Sequence, residues 1–318
     1  MKTKIFLLCS LIFLIFIGCK QKSNSAKSNY QEEAMLENGF NPVTGVGVLD
    51  KIIFRMKDIP VATNETLGHP QEESDNQPRK VTLDAFSIAE TEVTQELYQA
   101  VMGKNPSQCR DLIEGEETDK KPVERVSWLE AVAFCNRLTQ MMPGLGDDCC
   151  VYYSDRALTD IYTEEDAASN YEVFANWSRK GFRLPTSSEW EWAARGGIKD
   201  AIWAGTSDEK EVEDYAWIDK NSDSTNHEIA KKLPNAYGLY DMSGNVFEWC
   251  WDWYEDPIST KPQTNPRGPM DGKKGGYQKI MRGGAAGMEF SDATVLHIAY
   301  SSPAHHHWVT GLRLARNK

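Results

Sequence analysis

The sequence predicts an α+β fold with few helices, short strands and much packed irregular structure. Only three segments show capped helical periodicity, and strands and helices do not alternate along the chain. Long stretches between these segments are rich in Gly, Pro, Asn, Asp and Ser, yet they carry several of the ten tryptophans. Loops with such large apolar side chains are expected to pack onto a core.

The three predicted helices have clear start and stop signals. Capping-box patterns stand at 127–130 and 186–189, and the second helix is stopped by Gly196. A third helix is expected after Thr94 and ends at Gly103. Three short apolar runs are predicted strands: 80–83, 279–282 and 312–315.

Composition limits the classes of function. Of the 318 residues, 47 are acidic and 35 basic, which gives a formal net charge of -12. No stripe of Lys and Arg is present, so binding to nucleic acid is not expected. The mean hydropathy of -0.54 excludes a polytopic membrane protein. No second linker follows the N-terminal region, so we expect one domain over residues 40–318.

The N-terminal residues have the pattern of a bacterial lipoprotein signal. Two lysines precede an apolar run at 5–17 that is too short to span a bilayer comfortably. It ends in Phe16-Ile17-Gly18-Cys19, which resembles a lipobox, whose cysteine is lipidated after cleavage just before it. We expect a signal peptide at 1–18, a lipid on Cys19 and a flexible tether at 19–39. An ordinary signal with a chance cysteine, or an N-terminal anchor helix, is the alternative.

Lipidation would determine where the protein resides. Several acyl chains on one residue, palmitate among them, give stable membrane attachment. The expected location is a bacterial membrane, at the outer membrane or cell surface, although a lipobox does not specify the leaflet. Disulfides are possible in such a compartment. Five cysteines remain after cleavage, so at least one is unpaired within a monomer and the other pairings stay open: Cys109, Cys135, Cys149, Cys150 and Cys250.

Several motifs occur in a specific order along almost the whole domain. They include Gly-Phe-Arg-Leu-Pro-Thr at 181–186 and Gly-Leu-Tyr-Asp-Met-Ser-Gly-Asn-Val-Phe-Glu-Trp at 238–249. The remaining motifs lie at 87–94, 121–128, 189–197, 281–284 and 311–314. Together they resemble the formylglycine-generating (sulfatase-modifying factor) family. This resemblance implies a C-type-lectin-like fold of the formylglycine-generating-enzyme type.

The resemblance also implies where catalytic groups would lie. Family members that oxidise a sulfatase cysteine use two cysteines shortly after Arg282-Gly283-Gly284, where this chain has Met288 and Ala293. A second branch, the iron-dependent sulfoxide synthases, needs a set of histidine ligands. In an extended run His305-His306-His307, adjacent side chains point to opposite faces, so they do not form one such set. We therefore expect no enzyme activity and no required cofactor.

The segment 285–310 contains no Lys, Arg, Gln or Asn and is rich in aromatic residues and histidine. Its position between Arg-Gly-Gly and Gly-Leu-Arg-Leu resembles the variable region of variable proteins from diversity-generating retroelements, especially the treponemal surface lipoproteins. This implies that the segment binds a ligand, as antibody paratopes do. The expected contact residues are Ala285, Ala286, Gly287, Phe290, Asp292, Val295, His297, Tyr300, Ser302, His305, His306 and His307.

Other interpretations of this segment remain. Val295, Leu296, Ile298 and Trp308 could belong to the core, and a buried strand pair would account for the first three. A structural envelope lipoprotein with a fixed ligand is a further alternative. The expected partner is an unidentified protein or other surface molecule, with glycans and small molecules left open. The N-terminal lipid adds the membrane as a second partner.

The resemblance finally implies a structural calcium ion. Side-chain oxygens of Asp241 and Glu248 would bind it together with carbonyl oxygens of Gly244 and Val246. Alternatively, Glu248 and Asn245 satisfy backbone groups of the loop.

Overall fold

The structure, a computed structural model, describes residues 37–70, 76–110 and 112–318. The predicted signal peptide, Cys19 and the tether up to residue 36 lie outside the described residues. Residues 38–318 form one compact unit, which begins with a strand at Gly39. None of the helices in the described ranges is long and apolar enough to cross a membrane.

The described residues contain five α-helices and three 3₁₀ turns. The helices are α1 (Gln95–Met102), α2 (Trp128–Met141), α3 (Glu164–Ala167), α4 (Ser187–Arg195) and α5 (Val212–Tyr215). The 3₁₀ turns are Thr118–Lys120, Asp147–Cys149 and Lys273–Gly275. Helices α1, α2 and α4 are the three predicted from their capping signals.

Their boundaries follow the predicted caps. Before α2, the Ser127 hydroxyl accepts from the backbone N–H of Glu130, and the Glu130 carboxylate accepts from the N–H of Ser127. Thr186 and Glu189 repeat this arrangement before α4. Helices α1 and α4 both end at a glycine in the left-handed conformation, as expected.

The strands are short, as predicted. In chain order they are β1 (Gly39–Asn41), β2 (Val46–Leu49), β3 (Ile52–Ile59), β4 (Ala62–Leu67), β5 (Arg79–Leu83), β6 (Phe86–Ala89), β7 (Tyr152–Tyr153), β8 (Phe174–Ala175), β9 (Phe182–Arg183), β10 (Phe247–Trp253), β11 (Gln263–Thr264), β12 (Lys279–Arg282), β13 (Ala299–Ser301), β14 (Thr310–Gly311) and β15 (Ala315–Asn317). Strands β5 and β12 confirm two of the three strand predictions.

Four small sheets result. The largest is antiparallel, with strand order β1-β2-β3-β6-β15-β9. A four-stranded sheet has the order β13-β12-β10-β14, in which β14 is parallel to β10. A three-stranded sheet has the order β11-β5-β4, and β7 pairs with β8. In the four-stranded sheet, β12 ends at Arg282, and β13 and β14 are formed by residues that follow it.

The third strand prediction, 312–315, is wrong in its bounds. Strand β14 ends at Gly311 and β15 begins at Ala315, so the intervening residues cross from the four-stranded to the six-stranded sheet. The carbonyl oxygen of Leu312 accepts from the N–H of Val93 in the loop after β6, and that of Leu314 accepts from the N–H of Ala89 at the end of β6. The apolar alternation reflects burial of these residues, which the crossing provides without a strand.

Aromatic side chains fill the core between the helices and the four-stranded sheet. Trp128 at the start of α2 donates to the carbonyl oxygen of Cys250 on β10, over 2.9 Å. The ammonium group of Lys279 on β12 is buried against three indole rings, 3.9 Å from Trp128 and 3.8 Å from Trp253. Burial holds the pKa of Lys279 well below its ordinary value. The core therefore connects α2 to the four-stranded sheet, whose strand β12 precedes the segment 285–310.

Candidate functional site

The segment 285–310 is preceded by Arg282, a residue that is bound on two sides. Arg282, at the end of β12, is fully buried and its Nη2 lies 2.7 Å from Oε2 of Glu191 on α4. Its Nη1 donates to the carbonyl oxygens of Leu296 and His297, over 3.0 and 2.6 Å. One guanidinium group thus fixes the middle of the segment to helix α4.

Glu191 is the centre of a buried network. Its carboxylate also accepts from the N–H of Gly68 and the side-chain amide of Asn76, and forms an ion pair with Arg195. Burial alone would raise the pKa of Glu191, but Arg195, Arg282 and Arg79 lower it to about 2. Next to this network, Arg183 forms a two-pronged ion pair with Glu189.

Two glycines make the turn into the segment possible. Gly283 and Gly284 both have left-handed backbones, with φ of 97° and 74°. A Cβ atom on Gly284 would lie 2.7 Å from Cα of Ala293 and from the carbonyl oxygen of Asp292. The Arg-Gly-Gly motif therefore lets two parts of the segment's own backbone approach closely.

The end of the segment is fixed by a second buried ion pair. Thr310 and Gly311 form β14 alongside β10. Two residues later, Arg313 donates from Nη2 to Oε1 of Glu248, over 2.7 Å, and both side chains are fully buried. The Gly-Leu-Arg-Leu motif therefore holds the segment's end through its arginine.

The same pair bears on the expected calcium ion. Glu248 Oε2 accepts from the indole N–H of Trp190 over 2.6 Å and from Nε of Arg313 over 3.0 Å, so both carboxylate oxygens are engaged. A cation bound there would also face the Arg313 guanidinium. Asp241 is buried, and its Oδ2 accepts from the N–H of Ala230. In the set Asp241, Gly244, Val246 and Glu248, the Glu248 oxygens are thus already engaged, whereas Oδ1 of Asp241 is buried without a hydrogen-bond partner. The calcium ion stays a prediction. Within the described ranges, no group of three or more His, Cys, Asp and Glu side chains could hold a metal ion.

Most of the predicted contact residues reach the surface. Of the twelve, six are exposed: Gly287, Phe290, Tyr300, Ser302, His305 and His306. Three are half-buried: Asp292, His297 and His307.

The other three, Ala285, Ala286 and Val295, are buried and correct the prediction. Ala285 packs in the main core, and Val295 lies with Leu296 and Ile298 in the core cluster around Trp190. Trp308, for which a core position was considered, is 51% exposed. Because apolar character alone does not distinguish a buried side chain from an exposed aromatic one, the sequence could not separate these two groups.

The exposed aromatic side chains rest on the scaffold. Tyr300 on β13 stacks on Tyr254, with ring centroids 3.9 Å apart. Phe290 lies beside Trp203, whose indole donates to the Phe290 carbonyl oxygen over 2.8 Å. Their backbones are thus held while the ring faces remain partly open to solvent.

Two pockets adjoin the segment. The Trp308 pocket, about 290 Å³, takes Ala286, Trp308 and Val309 from the segment. Its other lining residues belong to the scaffold: Gln108, Cys109, Glu124, Asp223, Ser224, Thr225, Asn226, Asn245 and Val246. The His306 pocket, about 270 Å³, lies between Ala304 and His306 of the segment and helices α2 and α3. In it, Nε2 of His306 lies 2.8 Å from Oε2 of Glu130.

The surface formed by residues 285–310 offers few groups for thiol chemistry. In the described part of the chain, all five cysteines are free. Met288 is half-buried and Ala293 fully buried at the positions where the family's catalytic cysteines are expected. Cys250 is buried, and burial holds its thiol pKa well above the ordinary value. Cys109 is half-buried, with Sγ 2.7 Å from Oγ1 of Thr225.

Comparison with known proteins places these features in a family context. Residues 55–318 match the model of the sulfatase-modifying factor enzyme 1-like domain. The solved structure of Treponema denticola variable protein 1 has a TM-score of 0.76 and 38% identity, covering 87% of this chain and 100% of that one. The suggested resemblance to a treponemal variable protein is therefore confirmed, as is the C-type-lectin-like fold.

Two curated relatives cover less of the chain. The chaperone protein LppX of Paenibacillus barcinonensis is 35% identical over 198 residues, which is 56% of this chain and 66% of that protein. The mouse formylglycine-generating enzyme is 33% identical over 124 residues, which is 36% of this chain and 32% of the enzyme. The chain thus spans just under two thirds of the first relative and about a third of the second.

Proposed function

This chain belongs to the sulfatase-modifying factor enzyme 1-like family, and we propose that it is a non-catalytic, surface-displayed lipoprotein that binds a ligand through residues 285–310. The single observation that carries the proposal is a difference between the backbone and the side chains of this segment. Its backbone is fixed by Arg282 and Arg313, whereas nine of the twelve candidate contact side chains are exposed or half-buried. Side chains in such positions can change without loss of the core.

The chemistry of the exposed surface suits a macromolecular partner. Phe290, Tyr300 and Trp308 offer large, rigid contact areas with few rotatable bonds. His305 and His306 add groups that donate and accept hydrogen bonds. Such mixed aromatic and polar surfaces are typical of protein-binding sites. We therefore propose a protein or another surface molecule as ligand.

The absence of an enzyme activity is part of the proposal. Met288 and Ala293 offer no thiolate, and burial makes Cys250 a poor nucleophile. The similarity to Treponema denticola variable protein 1 supports a binding role over an oxidative one. The matching assay is incubation with a sulfatase-type cysteine peptide, copper and oxygen, with a formylglycine-generating enzyme as positive control. We expect no formylglycine by mass spectrometry, and its formation would overturn the non-catalytic assignment.

Surface display depends on the expected lipid at Cys19. Metabolic labelling with a palmitate analogue should mark the full-length chain and leave a Cys19→Ala variant unmarked. External protease treatment of intact cells should then remove the labelled protein. A labelled chain that resists external protease but is cleaved after lysis would retain the anchor and exclude surface display.

The experiment that tests diversification is DNA sequencing of the locus. We expect a non-coding near-copy of the region encoding residues 285–310 beside a reverse transcriptase gene, differing mainly at adenines. The exposed positions should then differ between the two copies more often than Ala285 and Val295. A locus without such a copy would leave a scaffold with a fixed ligand.

A further inference from the structure

The Trp308 pocket contains an uncompensated carboxylate. Glu124 is fully buried, and its Oε1 accepts from the backbone N–H groups of Cys109, over 2.8 Å, and Gln108. Its Oε2 is buried without a hydrogen-bond partner. A buried acceptor left without a donor is costly, which indicates that the pocket is completed by something that donates.

A second acceptor on the same pocket has the same property. Asn226 is 5% exposed, and its Oδ1 is buried without a hydrogen-bond partner. Two residues that line the pocket therefore each carry a buried oxygen that lacks a donor, one of them on a carboxylate. The indole of Trp308 forms a further wall, and the exposed Asp223 also lines the pocket. Aromatic faces and acidic side chains both favour a cation.

The cationic side chains near Glu124 do not form an ion pair with its carboxylate. Arg110 and Arg125 lie close enough to lower its pKa, as do the N–H groups of Cys109 and Gln108, but burial is the larger effect and raises it. Among the described residues, no cationic side chain lies within 4.0 Å of the Glu124 carboxylate. The Arg110 guanidinium instead donates to the carbonyl oxygens of Ser107 and Asn105.

We propose that the Trp308 pocket binds a primary ammonium group, such as a lysine side chain of a protein partner. The choice over guanidinium follows from the donors already present. A guanidinium group prefers both oxygens of one carboxylate, but Oε1 of Glu124 is occupied by two backbone N–H groups. An ammonium group can donate separately to Oε2 of Glu124 and to Oδ1 of Asn226 while resting on an indole face. A pocket of about 290 Å³ accommodates one such side chain.

This inference deepens the proposed ligand binding and rests on it, but its test does not need the natural partner. The chain is labelled with ¹⁵N-tryptophan, and the Trp308 indole signal is assigned by a Trp308→Leu variant. The probe is Nα-acetyl-lysine N-methylamide. Its neutral counterpart is the norleucine derivative, and the arginine derivative and calcium chloride are titrated in parallel. We expect saturable shifts of the Trp308 signal with the lysine probe, at least ten-fold stronger than with the norleucine probe.

Variants identify the contacts. Glu124→Gln keeps the shape of the side chain and should weaken the lysine probe about ten-fold or more. Glu172→Gln removes an exposed carboxylate outside the pocket and outside residues 285–310, and should leave the affinity unchanged. If Glu124→Gln does not fold, Trp308→Leu alters an exposed residue, and loss of the lysine-induced shifts at the remaining indoles provides the second measurement.

Three results would overturn the ammonium assignment: equal binding of the norleucine probe, tighter binding of the arginine probe, or a response to calcium alone. If the lysine probe does not bind but the locus contains the near-copy, the proposal of diversified ligand binding stands without the ammonium site. If the lysine probe binds but the locus contains no near-copy, the chain is an amine-binding protein whose binding surface is not diversified.

Discussion

Arg282 and Glu191 form a fully buried ion pair in which the same arginine also donates to the backbone at Leu296 and His297. The first residue of the Arg-Gly-Gly motif thus joins helix α4 to the middle of the segment that follows it. A buried charge that is held by an ion pair and by two backbone acceptors favours one arrangement of the chain around it. This pair explains how a segment with little regular structure keeps a defined backbone.

Glu191→Gln should destabilise the protein strongly. It would leave Arg79, Arg195 and Arg282 buried around a neutral amide. Removing one partner of a buried ion pair typically costs about 3–5 kcal/mol. The free energy of unfolding in urea measures the loss. Glu213→Gln, which breaks an exposed pair with Lys220, is the control and should have a much smaller effect. Equal losses for the two variants would argue against the central role of Glu191.

The effect of Glu191→Gln should depend on pH. The pKa of Glu191 is about 2 in the folded protein, against an ordinary value of 4.5. A lowered pKa contributes stability that is present above 4.5 and is lost as the pH falls towards 2. The difference between the variant and the native protein should therefore shrink in this interval.

From the sequence, the helices that support the site could be predicted better than the exposure of its side chains. Capping boxes and glycine stops depend on neighbouring residues, so α2 and α4 could be located from Ser127 and Thr186. The burial of Lys279 among tryptophans could not be predicted, because it depends on strands and a helix distant in sequence. For the same reason, apolar character placed Val295 and Trp308 in the same uncertain group, although only Val295 is buried. The unpaired oxygen of Glu124 required the three-dimensional arrangement.

Asp241→Asn should stabilise the protein at neutral pH. Burial raises the pKa of Asp241 to about 6, although the N–H of Ala230 and the charge of Arg313 oppose this. The raised pKa means that stability is fully present below 3.8 and is lost as the pH rises through 6. Asparagine keeps the acceptor for Ala230 and tolerates the left-handed φ of 57°. Melting temperatures should therefore favour the variant at pH 7.5 and converge near pH 4, and a lower value at pH 7.5 would show that the charge is needed.

A chelator should not change the melting temperature. Both oxygens of Glu248 accept from Arg313, and Oε2 also accepts from Trp190, so this carboxylate is already engaged without a cation. The protein is first saturated with calcium and then divided, with and without excess EDTA. A fall in the melting temperature with EDTA, restored by added calcium, would show that a structural ion is bound.

Gly284→Ala should be more destabilising than Gly287→Ala. Both glycines have left-handed backbones, with φ of 74° and 80°, so both substitutions introduce backbone strain of about 1 kcal/mol. A Cβ at Gly284 would also meet backbone atoms at 2.7 Å, whereas the nearest atom at Gly287 is 3.5 Å away. Unfolding in urea measures both losses. Similar values would mean that the backbone around Ala293 yields easily and that the close approach is not required.

Leu296→Ala and His305→Ala should separate the scaffold part of the segment from its surface part. Leu296 is 6% exposed and packs in the core cluster around Trp190, so its truncation should cost about 2–5 kcal/mol. His305 is exposed and contacts Ser301 through one ring nitrogen, so its removal should change stability by less than about 0.5 kcal/mol. Both variants are measured by urea unfolding, and His305→Ala should also keep the native near-ultraviolet circular dichroism. Because a diversified surface must tolerate replacement of its exposed side chains, a large loss in His305→Ala would contradict the assignment of this residue to a variable surface.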